Sequence, residues 1–95
     1  MIKINVNKDE ITIKGHSGYS EEGTDIVCAS VSSIAITTVN ALLSIDEDCI
    51  IYEEKDGYLN IKIKKRSEVI NKLIDNMINL LKELQSQYKK NIEIR

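Results

Sequence analysis

Apolar and polar residues alternate along two short segments at the start of the chain, residues 2–7 (IKINVN) and 11–14 (ITIK). Alternation with a period of two is typical of a β-strand that buries one face. The polar stretch Lys8-Asp9-Glu10 between the segments predicts a turn, and Gly15 ends the second segment. We therefore expect an N-terminal β-hairpin with one apolar face.

Two further strand-like segments, residues 49–55 and 58–64, are joined at Asp56-Gly57. An Asp-Gly loop strongly favours a tight hairpin turn, because both residues tolerate positive φ angles. Residues 92–94 (IEI) predict a short final strand. The pattern thus indicates a second hairpin and a fifth strand.

Two longer segments have the properties of helices. Residues 25–43 are too long for one strand and contain no turn signal, so we predict a largely buried helix despite their many Val, Ile and Thr residues. Thr24 or Asp25 is suited to cap it, and Ser67 opens a second helix that ends near Tyr88. In the second helix the apolar residues recur at helical spacing: Val69, Ile70, Leu73, Ile74, Met77, Leu80, Leu81 and Leu84.

The predicted order of elements is β-β-α-β-β-α-β. Because every clear strand alternates, the sheet should have one apolar and one solvated face, with both helices covering the apolar face. The predicted fold class is therefore α+β, a two-layer sandwich with a mostly antiparallel sheet and two helices on one face. A chain of 95 residues has room for one core, so we expect a single domain over residues 1–95.

The composition of the chain argues against several classes of function. The net charge is −2, from 13 basic and 15 acidic residues, so no direct binding to nucleic acid or to an anionic membrane is expected. No apolar run is expected to reach the length of a bilayer span, and the N-terminus does not resemble a signal peptide, which together favour the cytoplasm. Two cysteines and one histidine without close spacing make a poor zinc site, so we expect no metal and no cofactor.

One pair of residues has the chemistry of a cysteine hydrolase. The only histidine, His16, lies in residues 15–24, a stretch that contains three of the four glycines, and Cys28 follows it by twelve residues in the first turn of the predicted helix. A helix N-terminus offers unpaired N–H groups and a positive dipole end, both of which favour the nucleophilic thiolate. A nearby imidazole would take the thiol proton and later protonate the leaving amine, while the same N–H groups would bind an oxyanion.

Asp25 and Ser32 flank Cys28 at −3 and +4, which puts all three on roughly one face of a helix. Asp25 is a candidate to orient His16, and Ser32 a candidate to hydrogen-bond the substrate or the thiolate. Structural interpretations remain open at this point. A cysteine in an apolar helix is often a core residue, and Ser or Asp near a helix start is often a cap.

Residues Gly15 to Leu43 resemble the ribosomal-processing cysteine protease family of bacteria (Prp). That family has Gly-His, a small residue, Gly-Tyr, a further Gly, then Asp-Ile-Val-Cys-Ala and Val-Ser. The matching positions are Gly15, His16, Ser17, Gly18, Tyr19, Gly23, Asp25, Ile26, Val27, Cys28, Ala29, Val31 and Ser32. Residue identities and the interval from histidine to cysteine agree together, which makes the resemblance specific.

The resemblance implies a function and roles for these residues. The family removes a short N-terminal extension from a large-subunit ribosomal protein, cutting after a pair of aromatic residues, and this processing is needed for ribosome assembly. By the resemblance Cys28 is the nucleophile and His16 the base, while Gly15, Asp25 and Ser32 support the site. The substrate partner would be the N-terminal peptide of that ribosomal protein, and the enzyme would be a homodimer.

The resemblance also implies a flexible loop that moves aside for substrate, containing Ser17, Gly18, Tyr19 and Gly23. Ser17 and Ser20 stand where the family often has alanine, so the contacts of this loop with substrate are open. Two other functions stay open as well: a ribosome-associated binding module without catalysis, and a thiol redox sensor. Cys49, at the start of a strand, is interpreted as structural.

Overall fold

The computed structural model describes residues 1–15 and 26–95. Within these ranges five strands and two helices follow the predicted order β-β-α-β-β-α-β. They are β1 (Ile2–Val6), β2 (Glu10–Lys14), α1 (Ile26–Ile45), β3 (Ile50–Lys55), β4 (Tyr58–Ile63), α2 (Glu68–Gln87) and β5 (Ile92–Ile94).

The strands form one five-stranded sheet in the order β3-β4-β2-β1-β5. Three of the four strand pairs are antiparallel, and β5 pairs parallel with β1. The two predicted hairpins, β1–β2 and β3–β4, are both present, and β2–β4 pairing joins them in the middle of the sheet. The predicted α+β class with a mostly antiparallel sheet is confirmed.

The two faces of the sheet differ as the alternation predicted. The inward-facing residues of all five strands join the buried residues of both helices in one hydrophobic cluster. The outward face is polar, and there the Asn60 amide donates hydrogen bonds of 2.9 Å to the Glu10 carboxylate and to the Thr12 hydroxyl. Both helices therefore cover the same face of the sheet.

Helix α2 begins where the sequence indicated. The Ser67 hydroxyl accepts a hydrogen bond of 3.2 Å from the Ile70 N–H, which is an N-cap. Ile70, Ile74, Met77 and Leu81 are buried against the rest of the core. Not all of the predicted apolar positions of this helix are buried, since Val69 is 53% exposed and Leu80 is 38% exposed. These two lie on a different side of the helix from the buried four.

Helix α1 spans Ile26–Ile45, close to the predicted 25–43, but only six of its twenty residues are buried, so the expectation of a largely buried helix was wrong. It has the length and composition of a bilayer span, so the expectation that no apolar run reaches that length was wrong. The core helix of a globular domain meets the same criterion. Its buried residues, including Val27, Val31 and Leu42, belong to the cluster that contains the strands. We therefore interpret α1 as a core helix that packs on the sheet and on α2.

Two isoleucines on neighbouring strands test how the core is arranged. Ile61 on β4 is 0% exposed, whereas Ile51 on β3 is 53% exposed on the opposite face. Ile61→Ala should lower the free energy of unfolding by about 3 kcal/mol, because it removes a buried side chain and leaves a cavity. Ile51→Ala should cost less than about 1 kcal/mol. Urea denaturation measures both, and equal losses would contradict the assignment of the two faces.

Candidate active site

A groove of about 450 Å³ opens where the N-terminal end of α1 meets the sheet. One wall is the first half of α1, and the other is the end of the β3–β4 hairpin, residues 54–59. Ile2 and Ile13 form part of its floor, next to Leu59. The groove thus combines an apolar floor with polar groups along its sides.

Cys28 lies in the first turn of α1 and lines this groove. It is half-buried and is followed on the same wall by Val31, Ser32 and Ala35, the spacing of one helix face. Val31 and Ala35 are buried, so they fix the rotation of the helix and with it the direction of Cys28. The first-turn amides of an α-helix have no carbonyl partner inside the helix and favour an anion there. This position therefore suits a thiolate and an oxyanion.

Three of the predicted site residues fall within the described ranges, and the groove brings them together. Gly15, Cys28 and Ser32 all line it, although they come from the end of β2 and from two turns of α1. Ser32 is exposed and stands one turn after Cys28. The other predicted site residues lie outside the described residues: His16, Ser17, Gly18, Tyr19, Gly23 and Asp25.

Gly15 is held in a conformation that only glycine adopts readily. Its φ angle is +95°, and its N–H donates a hydrogen bond of 2.8 Å to the Gly57 carbonyl at the hairpin turn. A Cβ at this position would lie 2.7 Å from the Met1 carbonyl oxygen, which is too close. The end of β2, the start of β1 and the β3–β4 turn therefore meet at this glycine, at the edge of the groove.

The second cysteine has a different environment. Cys49 is fully buried, and its Sγ donates a hydrogen bond of 3.4 Å to the Leu42 carbonyl. Burial raises the pKa of the Cys49 thiol, and the nearby Asp46 charge raises it further. A buried thiol with a raised pKa is a poor nucleophile, which agrees with the structural role predicted for Cys49. No disulfide joins it to Cys28.

The sequence analysis did not identify the β3–β4 hairpin as a wall of the site. Its residues 54–59 line the groove because β4 pairs with β2, which carries the hairpin turn to the end of the sheet where Gly15 lies. The Asp56-Gly57 signal predicted the turn but gave no indication of which strand the hairpin would join. Within residues 1–15 and 26–95, no group of three His, Cys, Asp or Glu side chains is arranged to hold a metal ion.

Comparison with known proteins places these features in a family. The family model described as cysteine protease Prp matches residues 1–93. The ribosomal processing cysteine protease Prp of Bacillus subtilis is 31% identical, over 84% of this chain and 78% of that protein. The protein of the same name from Staphylococcus aureus is 25% identical, over 98% of this chain and 94% of its own length.

Solved structures have the same fold. The crystal structure of the S. aureus Prp protease with a covalently linked product peptide superposes with a TM-score of 0.87 at 24% identity, covering 99% of this chain and 95% of that one. The structure of SMU.848 from Streptococcus mutans gives a TM-score of 0.74 at 26% identity, covering 99% and 90% of the two chains. The arrangement of helices and sheet is therefore that of the Prp structures.

The two cysteines should differ in reactivity because one lines a groove and the other is buried. We expect iodoacetamide to label Cys28 of the native protein at neutral pH and to label Cys49 only after unfolding. Cleavage after glutamate separates the two thiols into the fragments 23–47 and 48–53, which mass spectrometry can quantify. Faster native labelling of Cys49 than of Cys28 would contradict the environments described above.

Proposed function

The chain belongs to the Prp family of cysteine proteases, and we propose that Cys28 is its nucleophile and His16 its general base. The observation that carries the proposal is the position of Cys28, in the first turn of α1 on the wall of a groove. Gly15, the residue directly before His16 in the chain, lines the same groove. Because Gly15 is adjacent to His16 in the chain, its position supports a pairing of the His16 imidazole with the Cys28 thiol at the groove.

The proposed reaction has two stages. The Cys28 thiolate attacks the scissile carbonyl, the C–N bond breaks, and His16 gives the departing amine the proton it took from the thiol. Amide N–H groups at the start of α1 stabilise the oxyanion that forms on the way. Water, deprotonated by His16, then hydrolyses the thioester and restores the thiol. Asp25 is proposed to orient His16, and Ser32 to hydrogen-bond the substrate.

The proposed substrate is the N-terminal extension of a large-subunit ribosomal protein, removed after a pair of aromatic residues. This proposal is supported by the names of the relatives, which are ribosomal processing proteases. The groove supports an extended peptide, because its apolar floor of Ile2, Ile13 and Leu59 suits apolar side chains. Such a substrate is synthesised in the cytoplasm, where we propose that the enzyme acts. The segment with Ser17, Gly18, Tyr19 and Gly23 is proposed to move aside as the peptide enters.

We also propose that the enzyme is a homodimer. Val69 and Leu80, both exposed, lie along one side of α2 with the half-buried Leu73 between them. A second copy that covered this stripe would add apolar burial to a small core. Leu80→Lys should shift the protein from dimer to monomer in light scattering, whereas the exposed Ile51→Lys should not. A wild-type monomer at micromolar concentration would refute the dimer.

Peptide cleavage tests the assignment of the catalytic pair. Cys28→Ala should lower kcat at least about 10³-fold on a peptide that carries the aromatic-pair sequence, since no nucleophile remains. His16→Ala should also be strongly impaired. Cys49→Ala, which removes the other thiol, should cut at nearly the wild-type rate once circular dichroism confirms that it is folded.

Two results would contradict the proposal. Equal cutting by wild type and by Cys28→Ala would exclude Cys28 as the nucleophile. Binding of the peptide without turnover in every form would indicate a binding module, one of the two alternatives left open by the sequence.

A further inference from the structure

Glu54 is an acidic residue at an inward-facing position of the sheet, where the alternation of the strands predicts an apolar residue. Glu54 on β3 is paired with Leu59 on β4, Leu59 is paired with Ile13 on β2, and Ile13 is paired with Ile4 on β1. These four residues form one row across the inward face of the sheet, and the other three are buried in the core. Glu54 is thus the end of an apolar row, at the edge strand of the sheet.

This row ends in the groove. Glu54 lines it together with Cys28, and Leu59 and Ile13 of the same row form part of the floor. The carboxylate therefore lies beside the surface along which a peptide would run. The Glu54 side chain is exposed, so a charged group of a peptide in the groove can reach it.

The neighbour of Glu54 on the same face is Tyr52, two residues earlier on β3. The Tyr52 hydroxyl is buried and has no hydrogen bond of ordinary geometry among the described residues. Burial raises the pKa of Tyr52, and its interaction with the Glu54 carboxylate raises it further. The Tyr52 side chain thus interacts with the Glu54 carboxylate, and Glu54 itself lines the groove.

No salt bridge of the described residues joins a basic side chain to Glu54. The salt bridges within residues 1–15 and 26–95 involve other carboxylates. Lys55 on β3 and Lys14 on β2 are both paired with Tyr58 on β4. By the alternation of the strands, this row follows the inward row of Glu54 and belongs to the outward face. The Lys14 Nζ lies 5.8 Å from the centre of the Tyr58 ring. Lys55 also lines the groove next to Glu54, but no salt bridge of the described residues joins these two side chains.

We propose that Glu54 is a specificity-determining residue that binds a lysine or arginine side chain of the peptide substrate. The inference rests on the proposed function, because it assumes that a peptide occupies the groove. A carboxylate that receives a charge-assisted hydrogen bond would both select a basic residue and fix the register of the peptide relative to Cys28. The aliphatic stem of that residue would lie over the apolar floor.

Glu53 provides a matched control. It carries the same charge on the same strand, but alternation turns it to the outward face, and it does not line the groove. Glu53→Gln and Glu54→Gln therefore remove the same charge from the two faces of β3. Thermal unfolding of both variants checks that neither change disturbs the fold.

The test uses a panel of peptides built on the aromatic-pair sequence. The peptides come in pairs whose members differ only in having lysine or norleucine at one position, so they differ in charge but share the same aliphatic stem. The varied position is moved in turn along both sides of the aromatic pair. In wild type, lysine should raise kcat/KM about fivefold over norleucine at one position or at two adjacent ones. Glu54→Gln should abolish this preference, and Glu53→Gln should retain it. Glu54→Lys should prefer glutamate at the same position.

Three outcomes would overturn the inference while the protease assignment stands. They are no lysine preference at any position in wild type, a preference that Glu54→Gln leaves intact, and an equal loss of kcat for every peptide in Glu54→Gln. An equal loss of kcat for every peptide would indicate that Glu54 takes part in the reaction rather than in the choice of substrate. If wild type cleaves no peptide of the panel, the proposed function itself fails, and the inference fails with it.

Discussion

The site depends on one hydrogen bond, from the Gly15 N–H to the Gly57 carbonyl, at 2.8 Å. This bond joins the end of β2 to the turn of the β3–β4 hairpin. Gly15 has a φ angle of +95°, and the Met1 carbonyl oxygen lies close to where a Cβ of this residue would be. Three chain segments are thus fixed at one end of the sheet. His16, the proposed base, follows Gly15 directly in the chain.

The other half of the site depends on the burial of α1. Val31 and Ala35 are packed into the core, and this packing determines that Cys28 and Ser32, on the adjoining part of the helix surface, line the groove. The Cys28 thiol therefore needs no special backbone of its own, because the first turn of a helix packed on the core supplies both its direction and the amide groups around it. Cys49 has neither property, being buried at the start of β3 with its sulfur on the Leu42 carbonyl.

Much of this arrangement could be predicted from the sequence, because it depends on residues that are close together in the chain. Alternation gave the strands, Asp56-Gly57 gave the hairpin, and Ser67 gave the start of α2, since each depends on neighbours in the chain. The partial burial of α1 and the exposure of Val69 and Leu80 were not predicted, because these depend on how much of each helix the sheet covers. Cys28 and Ser32 were found from their spacing on a helix and from a family motif.

The acidic wall of the groove could not be predicted in the same way. Glu54 is one of two adjacent glutamates, and sequence alone does not say which of them faces the helices. The pairing of β3 with β4 and of β4 with β2 decides this, because it aligns Glu54 with Leu59 and Ile13. The long-range register of the sheet thus makes the end of β3 part of one wall of the groove.

We propose that Cys28 forms a covalent bond to the substrate during peptide hydrolysis. Acid quenching of a single turnover, followed by cleavage after glutamate and mass spectrometry, tests this claim most directly. We predict a transient adduct on fragment 23–47, which contains Cys28, with the added mass of the N-terminal product less one water. Turnover without any adduct on this fragment, or with an adduct on the Cys49 fragment instead, would contradict the account.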